Sequence, residues 1–326
     1  MLSRVPAFAA LLAAALVGLL GGCAGEDLSK SNYERTTVPA KPGSGQADVP
    51  TGPITDPAVS LSALRTVDPC ALLSADPTAD FERVGEPSEL EWGACRTELR
   101  DAGGKTLQLS LELGESLVMA EQATGNVEGL PLVENKIDDE TCFVTAVTSR
   151  APSMGIGLQV QYSGGEPCGQ GVAILAAVVR SVRADPPTYS PAPDSLLPVE
   201  PCDSVAADTV TGVLGDEATR QAAGLHMCQF QSGRSTVHVR FHSGYPPDPE
   251  NGTRIDIGGV TAVSEPGATD TAECDVSWQH RAGAEDGDGE IVSVSYYDFG
   301  EDVTKDDACA RAGEFARSVV AALPSR

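Results

Sequence analysis

The sequence is short of basic side chains. Its 326 residues include 22 Lys and Arg against 47 Asp and Glu, a formal net charge of −25. A nucleic-acid-binding protein neutralises phosphates with Lys and Arg, so this composition argues against a nucleic-acid partner. No phosphate-cradling glycine loop or dinucleotide fingerprint occurs either, and we therefore assign no cofactor.

Motifs of known catalytic sites are also missing. A serine nucleophile elbow requires Gly-x-Ser-x-Gly after a strand, and the nearest strings, around Ser163 and Ser243, do not fit. The many carboxylates offer no distinguishable catalytic pair. We assign no catalytic residue and favour a non-enzymatic protein. An envelope hydrolase with an unrecognised site is an alternative, and it predicts that its histidines lie at the active centre.

No metal site is assigned from the sequence. Close Cys-x-x-Cys pairs, typical of zinc sites, are absent. His238 and His242 share a predicted strand, where four residues separate them by ~13 Å, too far for one metal ion. The two other histidines are His226 and His280. The acidic loop 285–290 places oxygens at alternate positions but lacks the full calcium-loop pattern. We favour a solvated turn there, and calcium binding stays open.

The N-terminus carries export signals. Arg4 precedes a short apolar run, 8–20, and small residues follow it. The run is shorter than the ~20 residues of a membrane-spanning helix and is typical of a signal peptide. Leu20-Gly21-Gly22-Cys23 resembles a bacterial lipobox. The resemblance implies that residues 1–22 are removed and that Cys23 is acylated, for example with palmitate. The lipid would hold the chain at the cell membrane, on its extracytoplasmic face. A plain secretory signal is the alternative.

Residues 23–62 are polar and rich in Pro, Gly, Ser and Thr. Such a composition cannot bury enough apolar surface to order itself, so it predicts a disordered tether. A second Pro-rich stretch, 185–197, predicts a semi-rigid linker. The two stretches delimit a first domain at 63–184 and a second at 198–326.

Eight cysteines follow Cys23, in two sets of four. Their successive separations are 25, 47 and 26 residues in the first set, and 26, 46 and 35 in the second. An even number of cysteines outside the cytoplasm indicates disulfides, although spacing alone does not select their connectivity. We prefer neighbour pairs, because they would join each opening helix to a first strand and each late strand to a closing helix. The predicted pairs are Cys70–Cys95, Cys142–Cys168, Cys202–Cys228 and Cys274–Cys309.

Other features recur in the same register. A Val-acid-Pro-Cys string opens each set, at Cys70 and Cys202. A helix is predicted from Asp76-Pro77 to Gly85, and another, led by Asp208, from Thr209 to Gly215.

Alternating apolar residues predict half-buried antiparallel strands. These strands lie at 105–113, 142–148, 157–162, 236–242, 274–280 and 290–297. Closing helices are predicted at 169–182 and 305–323, the latter with Thr304 as N-cap and Asp307 three residues later. The fold class is α+β: two tandem, disulfide-linked domains, each an antiparallel sheet with an N-terminal and a C-terminal helix.

The lipobox, the Pro-rich tether and Asp68-Pro69-Cys70-Ala71-Leu72-Leu73 resemble the uncharacterised secreted lipoproteins of actinobacteria, a domain of unknown function. Glu200-Pro201-Cys202 departs from this string and lacks the Leu pair. The resemblance implies a fold and a location, and it carries no catalytic residues. More loosely, the layout is similar to extracellular sensor domains of actinobacterial receptor kinases.

We therefore expect a membrane-anchored binding or sensing module for an envelope component or a partner protein. The alternatives are a lipid or glycolipid carrier and the hydrolase named above. A carrier would need an apolar cavity inside a domain.

Overall fold

Alternating sequences build two antiparallel sheets in this chain. The computed structural model describes residues 48–74, 81–116, 120–269, 271–283, 288–300 and 302–324. The first sheet has strands β1 (Glu82–Arg83), β2 (Ser88–Glu91), β3 (Ala94–Arg100), β4 (Thr106–Ser116), β5 (Gly125–Val127), β6 (Leu130–Lys136), β7 (Thr141–Arg150) and β8 (Ser153–Tyr162). Their order is β1-β3-β4-β8-β7-β6-β5, and β2 also pairs with β3.

The second sheet comprises β9 (Thr219–Gly224), β10 (Met227–Ser232), β11 (Ser235–Gly244), β12 (Thr253–Asp256), β13 (Thr261–Pro266), β14 (Ala272–Ala282) and β15 (Gly289–Asp298). Its order is β9-β10-β11-β15-β14-β13-β12. With β2 taken as the counterpart of β9, this is the order of the first sheet. Every pairing in both sheets is antiparallel.

The described helices are α1 (Leu61–Leu64), α2 (Pro69–Ser74), α3 (Pro167–Ala184), α4 (Ala207–Leu214) and α5 (Lys305–Ala322), with single 3₁₀ turns at Pro57–Val59, Ala120–Gln122 and Pro201–Ser204. The predicted capping box of α5 is present. The Thr304 side chain accepts from the Asp307 backbone N–H, and the Asp307 carboxylate accepts from the Thr304 backbone N–H. Gly215, at φ 89°, ends α4.

Each sheet packs one face against a long helix. Helix α3 lies on β7 and β8, and α5 lies on β14 and β15. We call the apolar layer around α3 the first core and the layer around α5 the second core. The largest fully buried side chains of the second core are Trp278, Tyr296, Phe230, Phe241 and Phe315. Burial of such side chains contributes about 1.5–3 kcal/mol each.

Four disulfides link the helices to the sheets. They join Cys70 to Cys95, Cys142 to Cys168, Cys202 to Cys228 and Cys274 to Cys309, which are the neighbour pairs named above. Loops of this size correspond to about 3 kcal/mol of stabilisation each in the chain-entropy model. The α+β class with two antiparallel sheets and disulfides is thereby confirmed.

The predicted disordered tether is wrong for residues 48–62. Asp56 caps the Pro57–Val59 turn and accepts from Arg183 Nε at 2.7 Å, and Val59 is buried in the first core. The apolar residues at the end of this polar stretch are enough to order it. Residues 23–47 lie outside the described part of the chain.

The Pro-rich stretch 185–197, predicted as a semi-rigid linker, is packed against the rest of the structure. Asp68 N–H donates to the Pro187 carbonyl at 2.9 Å, and Tyr189 N–H donates to the Thr66 carbonyl at 3.0 Å. Leu196 is fully buried in the second core. Backbone hydrogen bonds to residues 66–68 and the burial of Leu196 in the second core therefore hold this segment in place.

Local predictions also fail at the first helix candidate and at two strands. The helix expected up to Gly85 is contradicted by β1, which occupies Glu82–Arg83; residues 75–80 lie outside the described part. Asp208 lies within the first turn of α4, whose N-cap is Ala206. The sequence predicted no strand at the second cysteine of each set, which lies in β3 or β10.

Candidate binding cavity between the two sheets

Two equivalent turns, one from each half of the structure, each contact the apolar core of the other half. The β2–β3 turn carries Trp92, and the β9–β10 turn carries Leu225 and His226. Leu225 is 4% exposed and belongs to the first core, whereas Trp92 packs against the second core. Each turn thus contributes an apolar side chain to the opposite core.

Glycine makes room for Leu225. Gly114 has φ +69° at the β-bulge between Leu113 and Glu115, and a Cβ there would lie 2.5 Å from Leu225 Cγ. Gly93, at φ +85°, would place a Cβ 3.0 Å from Leu225 Cδ1. Both backbones adopt a conformation that favours glycine, and both allow close approach of the leucine.

Two arginines also form contacts between the two halves of the structure, which we call the interface. Arg65 is 5% exposed, donates through Nε to the Leu225 carbonyl at 2.9 Å, and forms an ion pair with Glu200. Arg240, on β11, forms an ion pair with Glu91 at the end of β2. The first pair is largely buried and the second is half-exposed, so they differ in what their loss would cost.

A cavity of about 400 Å³ lies where these turns meet. This volume falls within the range of small-molecule sites. Its wall combines apolar and charged side chains, which include Trp92, Leu225, His226, Met227, Glu91, Glu112, Glu115 and Arg240.

His226 is the least satisfied polar side chain of the cavity wall. It is 6% exposed, and neither ring nitrogen has a hydrogen-bond partner among the described residues. Its ring meets Trp92 edge to face, with 5.3 Å between centroids. Burial, followed by the positive charges of Arg65 and Arg240, lowers its pKa to about 3. At neutral pH the buried imidazole therefore holds one N–H donor and one lone pair that no described residue uses.

Two carboxyl groups of β4 face the same space. Removal from water, and then the neighbouring Glu91, raises the pKa of Glu112, while Arg240 opposes the shift. Removal from water, and then Glu112, raises the pKa of Glu115. Thr145 donates to Glu115 at 3.3 Å. No ion pair between described residues involves either carboxyl group.

Trp92 also forms part of two adjoining cavities of about 390 and 710 Å³. Glu290 lines both, but its carboxylate is occupied: it accepts from Arg281, from the Ser195 hydroxyl at 2.8 Å and from the Leu196 N–H at 2.7 Å. This group supports the docked 185–197 segment, so its role is structural.

The remaining histidines do not converge. His238 lies against Tyr297, with ring centroids 5.7 Å apart, and His242 Nε2 lies 3.2 Å from Ser293 Oγ. Burial lowers the pKa of both. His280 Nε2 lies 3.3 Å from the Asp194 carbonyl. Within the described ranges, no group of three or more His, Cys, Asp or Glu residues could hold a metal ion.

Other sequence-predicted sites fall outside the described residues. These are Cys23 and residues 284–287, which include half of the acidic loop 285–290. Among the residues that are described, no helix is both long and apolar enough to cross a membrane.

Sequence reasoning missed the cavity residues Trp92, Leu225, Glu112 and Glu115, and it treated His226 only as one of four histidines. One signal was available: Trp92 and Leu225 both stand three residues before a cysteine, at Cys95 and Cys228. A large apolar residue at the same place in two turns indicates a contact, although not its partner.

Comparison with known proteins gives one family match. Residues 180–322 match the model of DUF3558, a protein of unknown function, which confirms that an uncharacterised domain family covers this segment. No curated protein matches the chain.

Three solved structures are similar to the chain, each over 83% of its length. DynU16, from the dynemicin biosynthetic locus, has 12% identity, 93% of its own chain covered and a TM-score of 0.18. The di-domain ARO/CYC StfQ from the steffimycin biosynthetic pathway has 10% identity, 96% of its own chain covered and a TM-score of 0.18. The di-domain ARO/CYC BexL from the BE-7585A biosynthetic pathway has 12% identity, 92% of its own chain covered and a TM-score of 0.15. Such TM-scores carry no argument about this chain.

Proposed function

We propose that this chain is a lipid-anchored extracytoplasmic lipoprotein of the actinobacterial type that binds a small ligand in the cavity between its two sheets, without transforming it. The observation that carries the proposal is His226. A buried imidazole with two unused hydrogen-bonding atoms costs stability unless something else satisfies them. A ligand in the cavity it lines would do so.

The proposal includes two tandem copies of one domain, at 63–184 and 198–326. Three observations support it: the matching strand order of the two sheets, the equivalent disulfides from opening helix to strand and from strand to closing helix, and the family match, which spans about one copy. A site between copies would explain the duplication, because each copy supplies part of the wall.

The anchor rests on the sequence of the N-terminus together with the disulfides. Disulfides persist in oxidising compartments outside the cytoplasm. A lipid on Cys23, after removal of residues 1–22, would keep the acidic body at the membrane face. To test this, Cys23→Ser should move the protein from the membrane fraction to the medium and abolish its acyl mass. Retention of the variant in the membrane would refute the anchor.

A lipid or glycolipid carrier receives less support. Acyl chains need an apolar enclosure, whereas this wall contains four charged side chains, Glu91, Glu112, Glu115 and Arg240. The hydrolase alternative also receives less support, since no carboxylate or nucleophile of the described residues is hydrogen-bonded to His226.

Native mass spectrometry tests the binding role. The full chain is purified in non-ionic detergent from the envelope of its own host, with His226→Leu and His242→Leu prepared in parallel. We expect a reproducible extra mass on the wild type and on His242→Leu, because His242 lies outside the cavity wall, and its loss from His226→Leu. An empty wild-type protein would contradict the proposal and redirect the search to protein partners by crosslinking on cells.

A further inference from the structure

The cavity wall has an excess of negative charge. Three carboxyl groups line it, from Glu91, Glu112 and Glu115, against one guanidinium, from Arg240. Arg240 is already paired with Glu91. The carboxyl groups of Glu112 and Glu115 are therefore left without a cationic partner among the described side chains.

A second, independent feature points to a ligand at the same place. His226 is 6% exposed, and its two ring nitrogens have no hydrogen-bond partner in the part of the chain that the structure describes. A neutral imidazole can accept a hydrogen bond from an ammonium group. Beside it, Trp92, Leu225 and Met227 provide an apolar wall.

We infer that the cavity takes a small organic cation: an ammonium group facing Glu112, Glu115 and His226, on an apolar body that lies against Trp92 and Leu225. This inference rests on the proposed function and names its ligand class. The net charge of −25 would draw cations toward the protein.

Other ligand classes fit less well. An anion would meet two carboxyl groups that form no ion pair with a described residue, because the single arginine of the wall is paired with Glu91. A bare divalent cation needs several oxygen or nitrogen ligands close together, and the described residues contain no group of three such side chains. A neutral apolar molecule would leave the ring nitrogens of His226 unsatisfied and would give neither carboxyl group a cationic partner.

Three matched probes separate these classes: 2-phenylethylamine, 2-phenylethanol and 3-phenylpropanoate. They share an aromatic body on a short arm and differ in the charge of the terminal group. Binding to the full chain in non-ionic detergent is measured by isothermal titration calorimetry after exhaustive dialysis. We expect heat of binding with the amine alone, and weaker binding at high salt.

Variants locate the ammonium group. Glu112→Gln and Glu115→Gln should each weaken amine binding about tenfold or more, since each removes a charge-assisted hydrogen bond. His226→Leu should weaken it as well. Glu134→Gln is the matched control, because Glu134 lies on β6 of the same sheet, outside the cavity wall, and burial likewise raises its pKa. This control should bind the amine like the wild type.

The outcomes separate the ligand class from the binding role. Equal binding of the alcohol, or binding of the propanoate, would overturn the cation class. So would a lack of binding by all three probes. In that case, an extra mass in the native spectrum, lost from His226→Leu, would show that the cavity still binds something else. An empty native spectrum would show that the proposed function fails too.

Discussion

Trp92 and Leu225 stand at equivalent positions, three residues before Cys95 and Cys228, and each packs against the core of the other half. These two contacts join the halves of the structure through their apolar cores rather than through a separate contact surface. Loosening either turn would consequently disturb the opposite core and the cavity between them. The interface is therefore the part of the molecule most worth testing by substitution.

Replacing Gly114 should be more damaging than replacing another left-handed glycine. Gly114→Ala forces a Cβ against Leu225, whereas Gly104→Ala, at φ +80°, meets nothing within 4 Å. Both variants carry a backbone cost of about 1–2 kcal/mol. We expect Gly114→Ala to cost about 1–3 kcal/mol more, by overpacking, in urea unfolding monitored by Trp fluorescence.

A double-mutant cycle checks the origin of this difference. Leu225→Ala alone should cost about 2–5 kcal/mol, because it leaves a cavity in the first core. In the Leu225→Ala background the additional cost of Gly114→Ala should vanish. If Gly114→Ala and Gly104→Ala are equally destabilising in the original chain, the close packing of Leu225 is refuted.

His226→Leu should stabilise the ligand-free protein. The substitution removes a buried polar ring whose nitrogens have no hydrogen-bond partner among the residues with described positions, and such groups cost about 1–3 kcal/mol. The rise should be measured as the free energy of unfolding at pH 7. His242→Leu, which removes the contact with Ser293, should give no stabilisation. A less stable His226→Leu would mean that the imidazole is satisfied within the fold.

The stability of His226→Leu relative to the wild type should depend on pH. The folded pKa of His226 is about 3, below its ordinary value of 6.5. Between these values the unfolded chain binds the extra proton, so the contribution of His226 to stability falls as pH falls below 6.5. Raised pKa values at Glu112 and Glu115 act oppositely, because the stability they contribute at low pH is lost as pH rises.

Glu112 and Glu115 are present in both the wild type and His226→Leu. Their contribution to the pH dependence of stability therefore cancels when these two proteins are compared. The advantage of His226→Leu over the wild type should grow as pH falls from 7 to 4, by about 1.4 kcal/mol per pH unit at its steepest. Chemical unfolding at four pH values measures it. A constant difference across this range would show that the imidazole is as free to protonate in the folded protein as in the unfolded chain.

The two interface arginines should respond differently to removal. Arg65→Ala leaves the Leu225 carbonyl and the Glu200 carboxylate without their buried donor, which should cost about 3–5 kcal/mol. Arg240→Ala breaks a half-exposed pair with Glu91, which should cost under about 1 kcal/mol. Thermal unfolding of both variants gives the comparison. Similar losses of stability in the two variants would contradict the buried position of Arg65.

Several elements could be predicted from the sequence because their causes are local. The alternation of Leu107, Leu109, Leu111 and Leu113 specifies a strand with one buried face, and Thr304 with Asp307 specifies the start of a helix. The even number of cysteines after Cys23 indicates disulfides. Reasoning from composition failed for the tether and the linker, where Val59 and Leu196 are among a few apolar residues in polar stretches. An average over the stretch does not reveal that one side chain is buried.

The sequence by itself determined the two sheets, their closing helices and the disulfide-rich character, since hydrophobic period, capping and cysteine count act within short segments. Only the tertiary structure decided where the cavity lies. Leu225 meets Gly114, and His226 meets Trp92, across more than a hundred residues of chain. Those contacts depend on how two finished sheets pack together, and no local preference of either turn encodes which partner it meets.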